Sequence, residues 1–321
     1  MKKILRLWPA LAVLLSLPLA AAVTEYRTFF AKTMLADGTA VIILRRFTQN
    51  DHTYYLMVHP QTLATEIVPL ADRKIAAASL QDLQKQFTSS PYSKALAAAA
   101  ANSNKFQDAG ITHSLPEERG ISLTIDLCPS KKPLDRSLFK HILAAFSKIE
   151  KPVPLAISLS GLWMEKHPRD LLWLSGLVRS GQITVDWIDH SYHHQYDRRL
   201  PLRRNFLLEK GVDLNEEILK TEQKMIECGL TPSVFFRFPG LVSDHAEFTR
   251  VLAYGVIPVG SDAWLAKKQK PGPGSIVLIH GNGNEPLGIK EFLALVRQEQ
   301  TAIKKKNWLL LDLRDSLARP E

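Results

Sequence analysis

Between residues 120 and 313, short apolar runs alternate with longer amphipathic stretches. Seven runs have strand character: 121–126, 153–160, 183–190, 234–238, 256–262, 276–280 and 308–313. Helical spacing fills most of the gaps, over 134–149, 168–179, 214–227, 246–254 and 289–304. Gly181, Gly229 and Gly255 each stand just past a helix end, where a C-terminal cap is wanted. Strands joined by crossover helices bury their apolar faces as a parallel sheet with helices outside. The expected architecture is α/β, a distorted (β/α)7-type barrel over residues 119–318.

The preceding stretch, residues 23–118, reads as a small β-rich N-terminal module plus a helical linker. Runs 26–34 and 39–46 flank Ala36-Asp-Gly38, a hairpin signal, and 52–58 can pair with 66–70. Residues 75–87 have helical spacing. The run 95–101 is either a helix end or a low-complexity linker, and 102–119 is connection.

Residues 1–22 have the layout of a signal peptide. Lys2 and Lys3 precede an apolar core at 11–19, and Ala20-Ala21-Ala22 supplies a small-residue cleavage site. The core is short for a membrane span, and Pro9 and Pro18 interrupt this region. The expectation is a secreted or periplasmic protein with no transmembrane segment after cleavage. Removing Lys2, Lys3 and Arg6 would lower the net charge from +9 to +6 (9 − 3). No nucleic-acid motif accompanies that basic excess, so nucleic acid is not an expected partner. Cys128 and Cys228 are too few for a disulfide framework. One follows a strand and the other ends a helix, positions on opposite faces of a βα repeat, so they are expected to stay unpaired.

Chemistry belongs at the C-terminal ends of parallel strands. Strand 121–126 ends in Asp126 before Pro129 breaks the chain. His190 and His194 follow the third strand, four residues apart. If the loop there turns helically, both imidazoles face one way, a spacing that suits a metal; otherwise the run is a polar surface cluster. Arg237 and His280 end two further strands.

Five segments, in this order, resemble the motifs of the polysaccharide deacetylase family, the NodB-homology carbohydrate esterases. Thr124-Ile-Asp-Leu-Cys-Pro129 resembles the first motif and His190-Ser-Tyr-His-His194 the second, a His-Ser/Thr-x-x-His metal pair. Arg237-Phe-Pro-Gly240 resembles the third, Asp262-Ala-Trp264 the fourth and Leu278-Ile-His280 the fifth. The resemblance implies a divalent metal, zinc first, on His190 and His194, with Asp126 as general base, His280 as general acid and Arg237 orienting Asp126. It places Pro239, Asp262, Trp264 and Leu278 at the substrate pocket. The implied activity is an exported hydrolase that removes acetyl groups from peptidoglycan or an exopolysaccharide by metal-activated water. The alternative is a catalytically impaired domain of the same fold that binds envelope glycan or a protein partner. One departure favours the alternative: Leu127 stands where the family has its metal-ligating aspartate. Asp189, Asp186 and Asp244 are candidate replacements, and Cys128 is expected to be a packed thiol.

Overall fold

The computed structural model describes residues 22–70 and 74–318, so the signal-like segment 1–21 lies outside the described residues. Two sheets form the protein. The first is antiparallel and built from β1 (Val23–Met34), β2 (Ala40–Gln49), β3 (His52–Val58), β4 (Thr65–Val68) and β5 (Ala76–Ala77), in the order β4-β3-β2-β1-β5. Asn50 and Asp51, both at positive φ, make the two-residue turn between β2 and β3. Their short polar side chains tolerate the left-handed region that such a turn needs. The helical spacing of 75–87 resolves into β5 and a shorter helix, Leu80–Gln86. The alanine run is a helix, Pro91–Ala101, which buries Tyr92, Leu96 and Ala99.

The second sheet is the curled parallel sheet of a distorted barrel. Its strands are β6 (Gly120–Leu127), β7 (Val153–Leu159), β8 (Ile183–Asp189), β9 (Pro232–Phe236), β10 (Ile257–Pro258), β11 (Ala263–Trp264), β12 (Ile276–His280) and β13 (Leu309–Leu310). They run β10-β9-β8-β7-β6-β12-β11, with β13 on the N-terminal end of β6. The strand expected over 256–262 stops at Pro258, and its remainder leads into β11 on the other side of the barrel. On β6 the alternation is strict. Ile121, Leu123, Ile125 and Leu127 share an outer core with Leu138, Phe139 and Ile142 of the helix Arg136–Phe146, whereas Ser122, Thr124 and Asp126 take the opposite face.

The barrel is open between β10 and β11, and the segment read as plain connection spans that seam. Ile111 bridges Val259 and His113 bridges Ser275, while Gln107 bridges Val242. Gly110 is obligatory there: its φ is +94°, and a Cβ would sit 2.4 Å from the Pro258 carbonyl oxygen.

The antiparallel sheet docks on the barrel through a shared core that includes Ile42, Leu44, Val58, Phe235, Phe236 and Val256. An ion pair is buried in the same junction. Arg45 donates from Nε and Nη2 to the two carboxylate oxygens of Glu222, at 2.6 and 2.8 Å, and from Nη1 to the Tyr254 carbonyl. Tyr26 donates its hydroxyl to the same carboxylate. The two side chains are 0% and 2% exposed, so neither charge has water to fall back on. Cys128 and Cys228 are unpaired.

Two stability effects follow. Glu222→Leu strands the Arg45 charge and should cost about 3–5 kcal/mol in urea denaturation, with Arg45→Met/Glu222→Leu recovering most of it. A loss under about 1 kcal/mol would mean the pair is not the clamp. At the N-terminal end of the barrel, burial, Glu118 and Asp312 raise the Glu150 carboxyl from 4.5 to about 7. The folded state then holds a proton that the unfolded state releases, so stability falls as pH rises from about 4.5 through 7. Glu150→Gln should melt higher than wild type above pH 7, and the gap should narrow towards pH 4.5 when melting is followed across that range.

Candidate metal site and cleft

All C-terminal strand ends of a parallel barrel face one rim, and the rim here encloses a cleft of about 710 Å³. β6 brings Asp126 to it, with β7 and β12 on either side: Asp126 is in register with Ser158 and with His280. The strand's alternation then places Cys128 on the same side as Asp126. Leu127 points away, wholly buried in the outer core, and its Cδ2 lies 3.0 Å from where a Cβ on Gly281 would be.

The histidine segment leaves β8 in a tight turn with Ser191 and His194 both at positive φ. Glu217 fastens it. One carboxylate oxygen accepts from the Ser191 hydroxyl and the Tyr192 and His193 backbone N–H groups, at 2.5, 3.1 and 3.0 Å, and the other lies 2.7 Å from His193 Nδ1. The Ser191 hydroxyl oxygen in turn accepts from the His194 N–H. Glu217 sits in a one-turn π-helix, Asn215–Leu219, an irregularity common at functional positions. Gly161 makes room below, since a Cβ there would lie 2.1 Å from the Tyr192 ring.

The turn aims two imidazoles at Cys128. The ligating atoms of Cys128, His190 and His194 all lie within 4.8 Å of one another. Cys128 Sγ is 3.5 Å from His190 Nε2. His190 Nδ1 is 2.9 Å from the Arg237 carbonyl, which fixes the tautomer that leaves Nε2 facing the thiol. His194 Nε2 is buried with no hydrogen-bond partner. A buried orphan nitrogen beside a thiol and a second imidazole is what a soft N₂S metal site requires, so zinc fits these residues.

Burial would raise the Cys128 thiol, but His194, His280 and His190 around it hold it well below the usual range. Burial likewise opposes a charge on His190 and on His280; Asp126 and Cys128 raise the first, and Cys128, Glu285 and Asp126 hold the second well above an ordinary histidine. His280 Nδ1 lies 2.9 Å from Glu285 Oε2, which also accepts from Trp264 Nε1 at 2.8 Å.

Asp126 lies beside the metal-capable group. Its Oδ2 is 3.7 Å from His190 Nε2 and its Oδ1 is 3.8 Å from Arg237 Nε. Arg237 is completely buried, donates from Nη2 to the Gly260 carbonyl and leaves Nε and Nη1 without hydrogen-bond partners. Trp264 and Leu278 line the cleft with Asp126, His190, His194 and His280. Pro239 and Asp262 do not. Pro239 is buried and opens the turn whose Gly240 and Leu241 form cleft wall. Asp262 faces the seam, where His113 Nδ1 lies 2.6 Å away and the Ser275 hydroxyl donates at 3.2 Å.

None of the acids considered as a replacement ligand reaches the site. Asp189 accepts from Ser191 N–H and, buried near Glu222 and Glu217, is raised well above an ordinary carboxyl. Asp186 pairs with Arg314, and Asp244 caps the helix His245–Leu252. The third position is filled by Cys128, so the packed-thiol expectation gives way. With it falls the expected acetyl-removing hydrolase, in which a metal on His190 and His194 activated water with Asp126 as base: the metal-capable set is Cys128, His190 and His194, with no carboxylate in it.

Sequence reasoning missed Glu217 and Glu285. The Glu217 contacts and the Glu285 contact with Trp264 are between separate elements, and the only local hint of Glu217 was an acid on the inward side of the 214–227 stretch.

A family model, the RP012 protein N-terminal domain, matches residues 24–93, which cover most of the antiparallel sheet and the start of the alanine helix. Among solved structures, the chain is similar to a pseudoenzyme of carbohydrate esterase family 4 from Bacillus anthracis, at 16% identity, over 65% of this chain and 69% of that one, with a TM-score of 0.42. It is similar to PdaA from Bacillus subtilis, a family 4 carbohydrate esterase, at 14% identity, over 67% and 94%, with a TM-score of 0.46. A Streptomyces lividans esterase of that family, in complex with acetate, matches at 18% identity, over 60% and 91%, with a TM-score of 0.39. These three are of the polysaccharide deacetylase type that the five motifs resemble. In this chain the curled parallel sheet carries at its rim a metal-capable group of Cys128, His190 and His194.

Loss of the Glu217 contacts should disorder the turn and not the barrel. Glu217→Ala should weaken zinc binding about 10–100-fold in competition with a chelator, while Glu217→Gln retains part of it. Unchanged affinity in a folded Glu217→Ala protein would show that the turn is held some other way.

Proposed function

We propose that this chain is an envelope-glycan-binding protein on a deacetylase-type barrel, holding zinc at Cys128, His190 and His194 and not turning the glycan over. The observation that carries the reading is the thiol in the third ligand position. Zinc held there supplies a Lewis acid, and a thiolate, softer and more electron-donating than a carboxylate, leaves less of that acidity for a carbonyl or a water. Asp126 stands against His190 and Arg237, and His280 is engaged by Glu285. These side chains then shape and charge the floor of the cleft.

The walls suit sugar rings. Trp264, Tyr196, Phe206 and Leu278 offer apolar faces, and the volume of about 710 Å³ accommodates a short oligosaccharide. Export to the envelope is part of the proposal and rests on Lys2, Lys3, the apolar core and Ala20-Ala21-Ala22. Among the described residues, no helix is long and apolar enough to cross a membrane.

Purified mature protein should carry about one zinc per chain and bind acetylated peptidoglycan fragments in calorimetry. Cys128→Ala should lose most of the zinc, and Trp264→Ala most of the glycan affinity. Wild type, zinc-loaded, should release no acetate. Acetate release that His190→Ala abolishes would overturn the binding reading.

A further inference from the structure

The loops around the cleft carry three cations outside any close ion pair, with Asp108 acting on Lys267 at longer range. Lys267 lines the cleft, its ammonium held 3.6 Å above the Trp264 ring. Arg203 lies 4.4 Å over Phe106, and the two adjoin the wall residues Leu202 and Gln107 in sequence. Lys132 donates to the Gly283 carbonyl at 2.8 Å, next to the wall residue Asn284. Among the described residues, none of these three has a carboxylate within ion-pair distance.

The cleft's own acids do not cancel this charge. Asp126 is set against Arg237 and His190, and Glu285 against His280 and the Trp264 N–H. Lys267 lines the opening, and Arg203 and Lys132 stand on two other strand-end loops beside residues that line it. Resting the two side chains on aromatic faces also limits their rotamers, so less entropy is lost when an anion arrives.

We infer that the glycan this cleft takes is an acidic one, carrying carboxylates on its sugars, with Lys132, Arg203 and Lys267 reading the charge at the rim. This deepens the glycan-binding reading and rests on it. A nucleic acid is the less suitable anion. Tyr196 and Phe206 stack on each other at 5.3 Å as one patch, not a row of separate aromatic platforms for successive bases.

The test uses the full mature chain, zinc-loaded, and three probes: oligogalacturonate, the same oligomer methyl-esterified, and a neutral chito-oligosaccharide. The acid form should bind at least about tenfold more tightly than its ester, and the advantage should shrink as salt rises from about 50 to about 300 mM. Lys132→Gln/Arg203→Gln should narrow the acid-to-ester ratio several-fold. Equal binding of acid and ester overturns this inference and leaves the glycan reading standing. No binding of any of the three overturns both. An oligothymidylate that displaces the acid oligomer at equal charge concentration overturns the choice of a sugar acid in favour of a phosphate polymer.

Discussion

The pairing of β6 with β7 on one side and β12 on the other is the constraint from which the site follows. Parallel pairing puts every C-terminal end on one rim. The register then sets Asp126 beside His280 and opposite Ser158 without any contribution from loops. A carboxylate 2% exposed is tolerable only with cations nearby, and β8 and β9 bring His190 and Arg237 to just under 4 Å. The polar floor of the cleft is thus a property of the sheet, held more rigidly than a loop could hold it.

On that floor, a two-residue step along one strand decides the chemistry. Residues 126 and 128 face the cleft and 127 faces the helices, because side chains alternate along an extended chain. Leucine at 127 therefore adds to the outer core, and the residue that meets the imidazoles is Cys128. The Cys128 thiol and the imidazoles of His190 and His280 act on one another, each pushing its neighbour towards the charged form that burial alone would oppose. Glu217 adds the other half, bending the histidine segment through two positive-φ residues so that both rings point inward.

The N-terminal module is bound into this arrangement. Arg45 reaches Glu222, one turn along the same helical stretch from Glu217, and residues 107–113 close the seam where β10 and β11 fail to meet. The antiparallel sheet and the cleft consequently share structural elements, and Gln107, from the segment joining the two, forms part of the cleft wall.

Much of this was legible in the residues alone. The repeated strand-then-helix pattern determined a near-closed parallel barrel, and the residues ending its strands, Asp126, His190, His194, Arg237 and His280, could be assigned to one rim because strand ends of a parallel sheet share a side. Hairpin pairing in the module was equally local, since turn residues and alternation set it. What the tertiary structure alone decided were partners far apart in the chain. Cys128 as a metal-capable group depended on where two histidines 62 and 66 positions later would turn (190 − 128 and 194 − 128). Glu217 lies on a stretch whose local pattern says only helix, Glu285 lies in the turn just before one, and 107–113 has no strand pattern because it pairs through isolated bridges. Asp262 was drawn into the cleft by its neighbour Trp264 and is turned instead to His113 in the seam. Periodicity records which face of an element is buried; it carries no record of which distant side chain that face will meet.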